Sequence, residues 1–529
     1  MVVDPNIAMI EDTSVPSGGS GDMYKRLMKR YEMCRSRREQ WVQVWEECYE
    51  YTLPLRESFF EESAGQRRND RIYDETAVVG VQEFASRLQA GLVPNYARWA
   101  DLKAGSEIPI EERDDINTAL DEITEYVFEV LQNSNFSQET HESFLDLAVG
   151  TACMMVEEGD ALNPVRFRAV PLPHIVLEES PDDNVASVYR KRKVRLSEIP
   201  LVWPRAEITP DLAKKMADSP DRYTDIIECT ARDYSKLPDE VSNYFVMLPS
   251  EKRIIYAESY EGKGSNPWIV FRWSKSAGEV YGRGPILNAI SAIKTCNLTV
   301  ELILENAQMS ISGMYQVDDD GTINTDNINL VPGTIIPRSP GSTGLSPIPP
   351  AGSFDVAGIV LDDMRTNIKR ALYNEMLGNP NRTPMSATEV AERMADLSRQ
   401  IGSAFGRLQA EFVQPVLARI IWILKKQGRI NMPVLNGREA KVVSVSPLSR
   451  AQLQQDVVTV DRFLEVLMGR FGPQMLNVFI KGEDTAQYIA SKMGVPQTLI
   501  RDETERAELM QALQQLEQQA QVQEAPQQI

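Results

Sequence analysis

Histidine is almost missing from this sequence, with His141 and His174 the two examples in 529 residues. That leaves little material for a histidine-ligated zinc site or a Ser-His-Asp triad. His141-Glu142 is followed by no second histidine four residues on. The five cysteines, Cys34, Cys48, Cys153, Cys229 and Cys296, are scattered without CxxC spacing. Such usage argues against a disulfide frame and for a reducing compartment. No G-x-x-x-x-G-K-[ST] occurs, so no ATP-driven motor is expected in this chain. Gly282-Arg283-Gly284 lacks the third glycine of a dinucleotide turn. Asp318-Asp319-Asp320-Gly321 opens like a calcium loop, but Asn327 stands where the bidentate glutamate belongs. A hairpin turn at Asp320-Gly321 between strands at 315–317 and 322–324 is the expectation instead. Asp362 and Asp363, adjacent on a helix, diverge by about 100° and cannot share a metal face. They read as solvated or channel-facing acids. No cofactor, metal site or enzymatic activity is expected. No run approaches about eighteen consecutive apolar residues, so no membrane span is expected either.

Basic residues are short too: 56 Lys and Arg against 76 Asp and Glu, a net charge of −20. Tight DNA binding through counterion release is thereby disfavoured. A protein past which DNA must slide is, however, served by an acidic wall. Charge alone leaves both readings open.

What is present describes an ordered chain, 42% hydrophobic and 25% charged. It is too long for one ordinary core. Residues 1–22, polar and rich in Gly and Ser, read as a floppy arm and not a signal peptide. A helical, aromatic-rich pattern follows, with Tyr24, Leu27, Tyr31, Trp41, Trp45 and Tyr49. Its polar side carries Lys25, Arg26, Lys29, Arg30, Arg35, Arg37 and Arg38, either a solvated face or a docking face for an acidic partner. Pro54 ends it. Asp74-Glu75-Thr76-Ala77 starts another helix, and two more are expected at 110–132 and 138–149. From 153 to 195 the period shifts towards two, which favours antiparallel sheet, and after a helix-like piece at 210–217 further strand signals run from 226 to 273. The fold class is α+β, mainly helical, with helices first and a sheet behind them.

The organising stretch is 281–428. Tyr281-Gly282-Arg283-Gly284-Pro285 leads a long helix carrying Ile286, Leu287, Ile290, Ile293, Leu298, Leu302 and Ile303. It stops near Ser312-Gly313. About forty residues of turn and short-strand signals intervene, and a returning helix carries Ile359, Val360, Met364, Ile368, Leu372 and Met376. The segment Gly378-Asn379-Pro380-Asn381-Arg382-Thr383-Pro384 cannot be helical. Ser386-Ala387-Thr388-Glu389 then forms a capping box, with Met385 and Val390 as its staple. A third helix runs toward Gly428, with Gly402, Gly406 and Pro415 as kink points. After Pro447, Ser449-Arg450-Ala451-Gln452 caps further helices, and a Gln-rich end follows.

These signatures together resemble a known family. Tyr49-x-Tyr51-Thr52-x-Pro54, Asp74-x-Thr76-Ala77, Phe84-Ala85-Ser86-Arg87-Leu88 and Leu92-x-Pro94 with Trp99 come in order. Ser134-Asn135-Phe136, Asp146-Leu147, Gly150, Gly278-Glu279-x-Tyr281-Gly282-Arg283-Gly284-Pro285 and Thr388-Glu389-Val390 follow. In that order and spacing the chain resembles the portal, or head-to-tail connector, of short-tailed bacteriophages of the T7-like kind.

The resemblance implies a portal fold with wing, stem, clip and crown, assembled as a ring of about twelve copies. On this chain it implies a wing at 23–275, a first stem helix at 276–310, a clip at 311–352 and a second stem helix at 353–376. A channel loop at 377–385, a kinked helix returning through the wing at 386–446, crown helices at 447–512 and a mobile tail at 513–529 complete it. The tail is too short for a C-terminal barrel helix. The implied function is a channel at one capsid vertex through which double-stranded DNA is packaged and ejected. The implied partners are other copies, large terminase, then a tail adaptor protein, and the major capsid and scaffold proteins. The implied place is the virion's portal vertex, after assembly in the host cytoplasm. Asn379, Asn381, Arg382 and Thr383 fall in the channel loop, where Arg382 either touches phosphates or pairs with an acid such as Glu375. Tyr315, Asp318, Asp320, Pro332, Arg338 and Pro347 fall in the clip, a docking site or a plain structured loop. The rival expectations are a capsid or scaffold protein without a DNA channel, and a carboxylate-metal nuclease.

Overall fold

The computed structural model describes residues 20–56, 71–105, 110–180, 184–236, 240–312, 315–316, 346–347, 354–374, 401–432, 440–444, 447–471, 480 and 482–493. Helix α1 (Ser20–Thr52) opens the chain. Tyr24, Leu27, Tyr31 and Cys34, three or four residues apart, pack on a sheet with Tyr189, Cys229, Phe245 and Met247. Further along, Trp45, Cys48 and Tyr49 turn into the main core. One helix thus spans two cores. Its basic side is only partly solvated. Arg30 makes a two-pronged ion pair with Glu178 (3.0 and 2.8 Å), and Arg38 donates to the carbonyls of Leu172 and Pro173.

Helix α2 (Thr76–Leu92) starts where the Asp74 side chain accepts from the Thr76 amide at 3.0 Å. Strand β1 (Ala100–Ala104) follows, then α3 (Ile110–Asn133) and α4 (Phe136–Val149). Asn135, between these helices, exchanges two hydrogen bonds with the backbone of Phe167. The period-two region forms two antiparallel sheets. The first has the order β3-β2-β9, from β2 (Thr151–Glu158), β3 (Val165–Val170) and β9 (Trp268–Arg272). The second has the order β4-β5-β6-β7-β8, from β4 (Ile175–Glu179), β5 (Val185–Arg195), β6 (Tyr223–Arg232), β7 (Val241–Leu248) and β8 (Arg253–Glu261). Short helices α5 (Ile199–Val202) and α6 (Pro210–Asp218) cover its far end. Successive residues of β5 face opposite sides, so Val188 joins the main core and Tyr189 the core under α1.

Two long helices come next, α7 (Pro285–Ser312) and α8 (Phe354–Ala371). Between them the two-residue strands β10 (Tyr315–Gln316) and β11 (Ser346–Pro347) pair antiparallel, with Tyr315 opposite Pro347. The expected hairpin turn at Asp320-Gly321 lies outside the described residues. Helix α9 (Gly402–Leu408) runs through a π-helical turn, Gln409–Val413, into α10 (Gln414–Lys426). Of the three expected kink points, the change of winding falls just before Pro415. Proline has no N–H for the carbonyl four residues back, and the wider turn accommodates that loss. It also seats Phe412 among Phe271, Phe144 and Phe136, with ring centroids 4.6, 5.4 and 6.4 Å away. Strand β12 (Ala440–Ser444) pairs with β1, and α11 (Pro447–Phe471) and α12 (Gly482–Met493) follow.

Candidate functional site: the paired long helices and their anchorage

The glycine turn before α7 is fastened to the body backbone to backbone. Gly284 N–H donates to the Val149 carbonyl (2.9 Å), Arg283 N–H to that of Ser274 (2.7 Å) and Trp273 N–H to that of Gly150 (3.0 Å). Gly282 N–H donates to the Thr151 hydroxyl (2.8 Å). Only glycines allow this approach: a Cβ on Gly284 would run into the carbonyl groups of Ala148 and Val149, and one on Gly150 into Gly282. Tyr281 plugs the same junction. Its ring lies edge-on to Trp45 at 4.8 Å, and its hydroxyl accepts from the Leu177 amide at 3.0 Å. Burial pushes that hydroxyl up to about 12. Arg283 faces outward, pairing with Glu279 and covering Trp41 at 5.0 Å.

A second fastening lies partway along the helices. Asn297 of α7 accepts from the amides of Tyr73 and Asp74 (2.7 and 3.1 Å) and donates to the Arg71 carbonyl (2.9 Å). Asp74 receives Arg365 of α8 at 2.7–2.8 Å. One loop before α2 therefore sets the two long helices level at Asn297 and Arg365. Burial pushes the Asp74 carboxyl up, but the hydrogen bonds from Thr76 and Arg365 outweigh it and hold the group below 3.8. A depressed carboxyl contributes stability that is complete above its unfolded pKa and is lost as pH falls below about 3.8. Unfolding midpoints measured against pH should therefore drop more steeply on the acid side for the native chain than for D74N. The two curves should converge at the lowest pH. Parallel curves would show that this ion pair is energetically silent.

The third fastening ends α8. Tyr373 has φ 58°, its N–H bonds to Arg370 O, and Asn374 N–H bonds to Lys369 O, a Schellman closure with tyrosine in the left-handed position. A tyrosine there costs about 1–2 kcal/mol. Its ring packs on Trp273 at 5.6 Å. Asn374 donates to the Gly80 carbonyl (2.8 Å) and accepts from Arg87 with its own carbonyl. The periodicity carried this helix on to Met376, which lies outside the described residues; the helix itself closes at Ala371.

Between these fastenings α7 is long and apolar enough to cross a membrane by length and composition, although no long unbroken apolar run is present. Lys294 and Asn297 of this helix are bound to the body, Lys294 to Glu47 at 3.1 Å and Asn297 as above. Leu298, Leu302 and Leu304 remain more than half exposed, as does Ile359 of α8. Among the described residues no group of three or more His, Cys, Asp or Glu could hold a metal.

Of the site residues read from sequence, Tyr315 and Pro347 are brought opposite each other. Asn379, Asn381, Arg382, Thr383, Asp318, Asp320, Pro332 and Arg338 lie outside the described residues. The sequence reading missed the Asn297–Asp74–Arg365 link and the Asn374–Gly80 bond. No local pattern announces either, since the partners are more than two hundred residues apart.

Two long helices are thus rooted at three points in an α+β body, with apolar side chains left uncovered along them. Residues 24–500 match the family described as bacteriophage head to tail connecting protein, and the chain belongs to that family of structural, non-enzymatic phage components. It is 23% identical to the probable portal protein of Bordetella phage BPP-1 over 507 residues, covering 90% of this chain and 88% of that one. It is 20% identical to the portal protein of Salmonella phage epsilon15, covering 86% and 84%. Among solved structures it is similar to a chain of the virion of a native gene transfer agent particle, with 11% identity and a TM-score of 0.36. That match covers 82% of this chain and 94% of the other.

Proposed function

We propose that the chain is the repeating subunit of a ring, about twelve copies in number, that forms the DNA channel at one capsid vertex. The α+β body is the wing, α7 and α8 are the stem, and 311–352 is the clip. Residues 377–385 form the channel loop, and the helices from Pro447 onward form the crown. The observation that carries this reading is the exposure of Leu298 and Leu302, one turn apart on α7, in the single chain. Contiguous exposed leucines are a sign of a contact surface, and neighbouring copies in a closed ring cover them without leaving an end. Twelve helices packed 8–10 Å apart enclose a circle of roughly 15–19 Å radius. Taking off about 5–6 Å for each helix leaves a bore suited to a hydrated duplex. The net charge of −20 on each copy keeps the wall from gripping phosphate.

Terminase and later a tail adaptor dock on the clip, through Tyr315, Asp318, Asp320, Pro332, Arg338 and Pro347. The major capsid and scaffold proteins are further partners. Assembly takes place in the host cytoplasm before the ring enters the virion. Arg382, with Asn379, Asn381 and Thr383, supplies fleeting phosphate contacts in a loop that holds no acid.

Negative-stain images of the purified chain should show rings with an axial hole. A chain that stays monomeric or dimeric under every assembly condition overturns the reading. Arg382→Ala should leave the rings intact and lower the fraction of heads that retain a full genome after packaging. Retention equal to the native chain would remove Arg382 from the channel role while leaving the ring in place.

A further inference from the structure

An open cleft of about 500 Å³ lies beside the root of α7, walled by α1, β4 and the turn that carries Tyr281. Three acids line it, and each is paired: Glu178 with Arg30 at 2.8 Å, Glu179 with Lys275 at 3.1 Å and Glu279 with Arg283 at 2.6 Å. Arg37, on the α1 wall, is exposed and has no hydrogen bond or ion pair among the described residues. Next to it the wall is apolar. Trp41 and Val44 of α1 and Leu287, in the first turn of α7, are all partly open to solvent there, Val44 by 42%. The cleft thus offers an apolar floor and one unmatched cation.

A complement to that pair of features stands in the chain itself. Within residues 1–19, which precede α1 and lie outside the described residues, Ile7-Ala8-Met9-Ile10 is an apolar run, and Glu11-Asp12 follows it directly. Pro16-Ser17-Gly18-Gly19, between those acids and α1, has the composition of a chain reversal. The lengths agree. Arg37 and Val44 stand about 26 and 36 Å along α1 from Ser20. Extended chain carries Ile10 and Ile7 up to about 33 and 43 Å back from the same point, which leaves a margin for the reversal. The order agrees as well. A chain folded back along α1 brings Glu11 and Asp12 to the Arg37 side of the cleft and the apolar run to the side of Trp41 and Val44. We infer that residues 7–12 of the chain's own N-terminal arm dock in this cleft, the apolar run against Trp41, Val44 and Leu287 and the two acids beside Arg37. Docking takes apolar surface of both arm and cleft out of water, and it gives Arg37 a partner. It ties α1 to the first turn of α7, a fourth fastening at the root of the long helices. The arm that composition reads as floppy becomes a strap. This goes beyond the ring reading and holds for a single chain as for an assembled one.

The five native cysteines are all buried, so thiols introduced on the surface can be paired selectively. Met9→Cys with Val44→Cys in the full-length chain should form an intrachain disulfide under mild oxidation. Non-reducing gels, which show whether one chain or two are joined, and mass spectrometry of the linked peptides measure it. Met9→Cys with Gln43→Cys is the control, since Gln43 is exposed and points about 100° round the helix from Val44. The yield at position 44 should exceed that at 43 severalfold. Arg37→Glu in the Met9→Cys, Val44→Cys background should slow the disulfide by up to about fivefold, the range of an exposed ion pair. Glu11→Arg with Asp12→Arg should restore the rate in that variant. All these positions lie on the surface or in the arm, and unchanged unfolding midpoints confirm that the body is intact. Equal yields at 43 and 44 overturn docking in the cleft. Disulfides that join two chains instead of closing one overturn the assignment to the chain's own arm and give the cleft to a second copy. A rate indifferent to Arg37→Glu overturns the placement of Glu11 and Asp12.

Discussion

Gly284→Ala is expected to cost about 4 kcal/mol or more of stability, the range reserved for a backbone that must move. The added Cβ would stand 2.5 Å from the carbonyl carbon of Val149 and nearer still to the carbonyl oxygen of Ala148. Both obstacles are main chain, at the exit of α4, and neither can rotate aside. Relief requires breaking the 2.9 Å bond from Gly284 to Val149, and with it the seating of α7 on the body. Unfolding midpoints in denaturant and the yield of rings measure the effect together. Two other glycines calibrate it. Gly278 has φ 81° with open space around it, so its alanine variant should lose only about 1–2 kcal/mol. Gly358, inside α8 with nothing near, should gain up to about 1 kcal/mol as alanine. Equal losses at Gly284 and Gly278 would show that the close approach plays no part.

Glu411→Ala should destabilise by about 3–5 kcal/mol, because it strands a charge that the body has enclosed. Arg272 is 3% exposed and meets both oxygens of Glu411, at 2.7 and 3.1 Å, while its own amide donates to the same carboxylate at 2.9 Å. The partner sits in the π-helical turn, so the bond fixes the winding that positions Phe412. Among the described residues, removing the acid leaves the guanidinium with the Val280 carbonyl alone. Replacing both members by methionine should recover most of the loss, since two apolar side chains leave no charge to desolvate. A single variant as stable as the native chain would mean that water reaches Arg272 freely.

The helix order, the two strand-rich stretches and the long helix pair were legible because each follows from a local period. The glycine turn was legible as a turn, and Gly150 as a signature position. That the two touch was not, for nothing short-range joins residue 150 to residue 282. Pro415 gave the place of the winding change, but not that a π turn would absorb it. The apolar periodicity in α8 pointed past its true end, because a tyrosine in the left-handed position carries no sequence signal comparable to glycine. The basic run on α1 looked uniform, yet Arg30 and Arg38 are spent inside the fold.

The pairing of β1 with β12 joins a strand near the start of the chain to one near its end. During synthesis β1 has no partner until most of the polypeptide has emerged. Its unpaired edge is a template for wrong pairing during that interval. Such a link makes completion of the body a late event in synthesis.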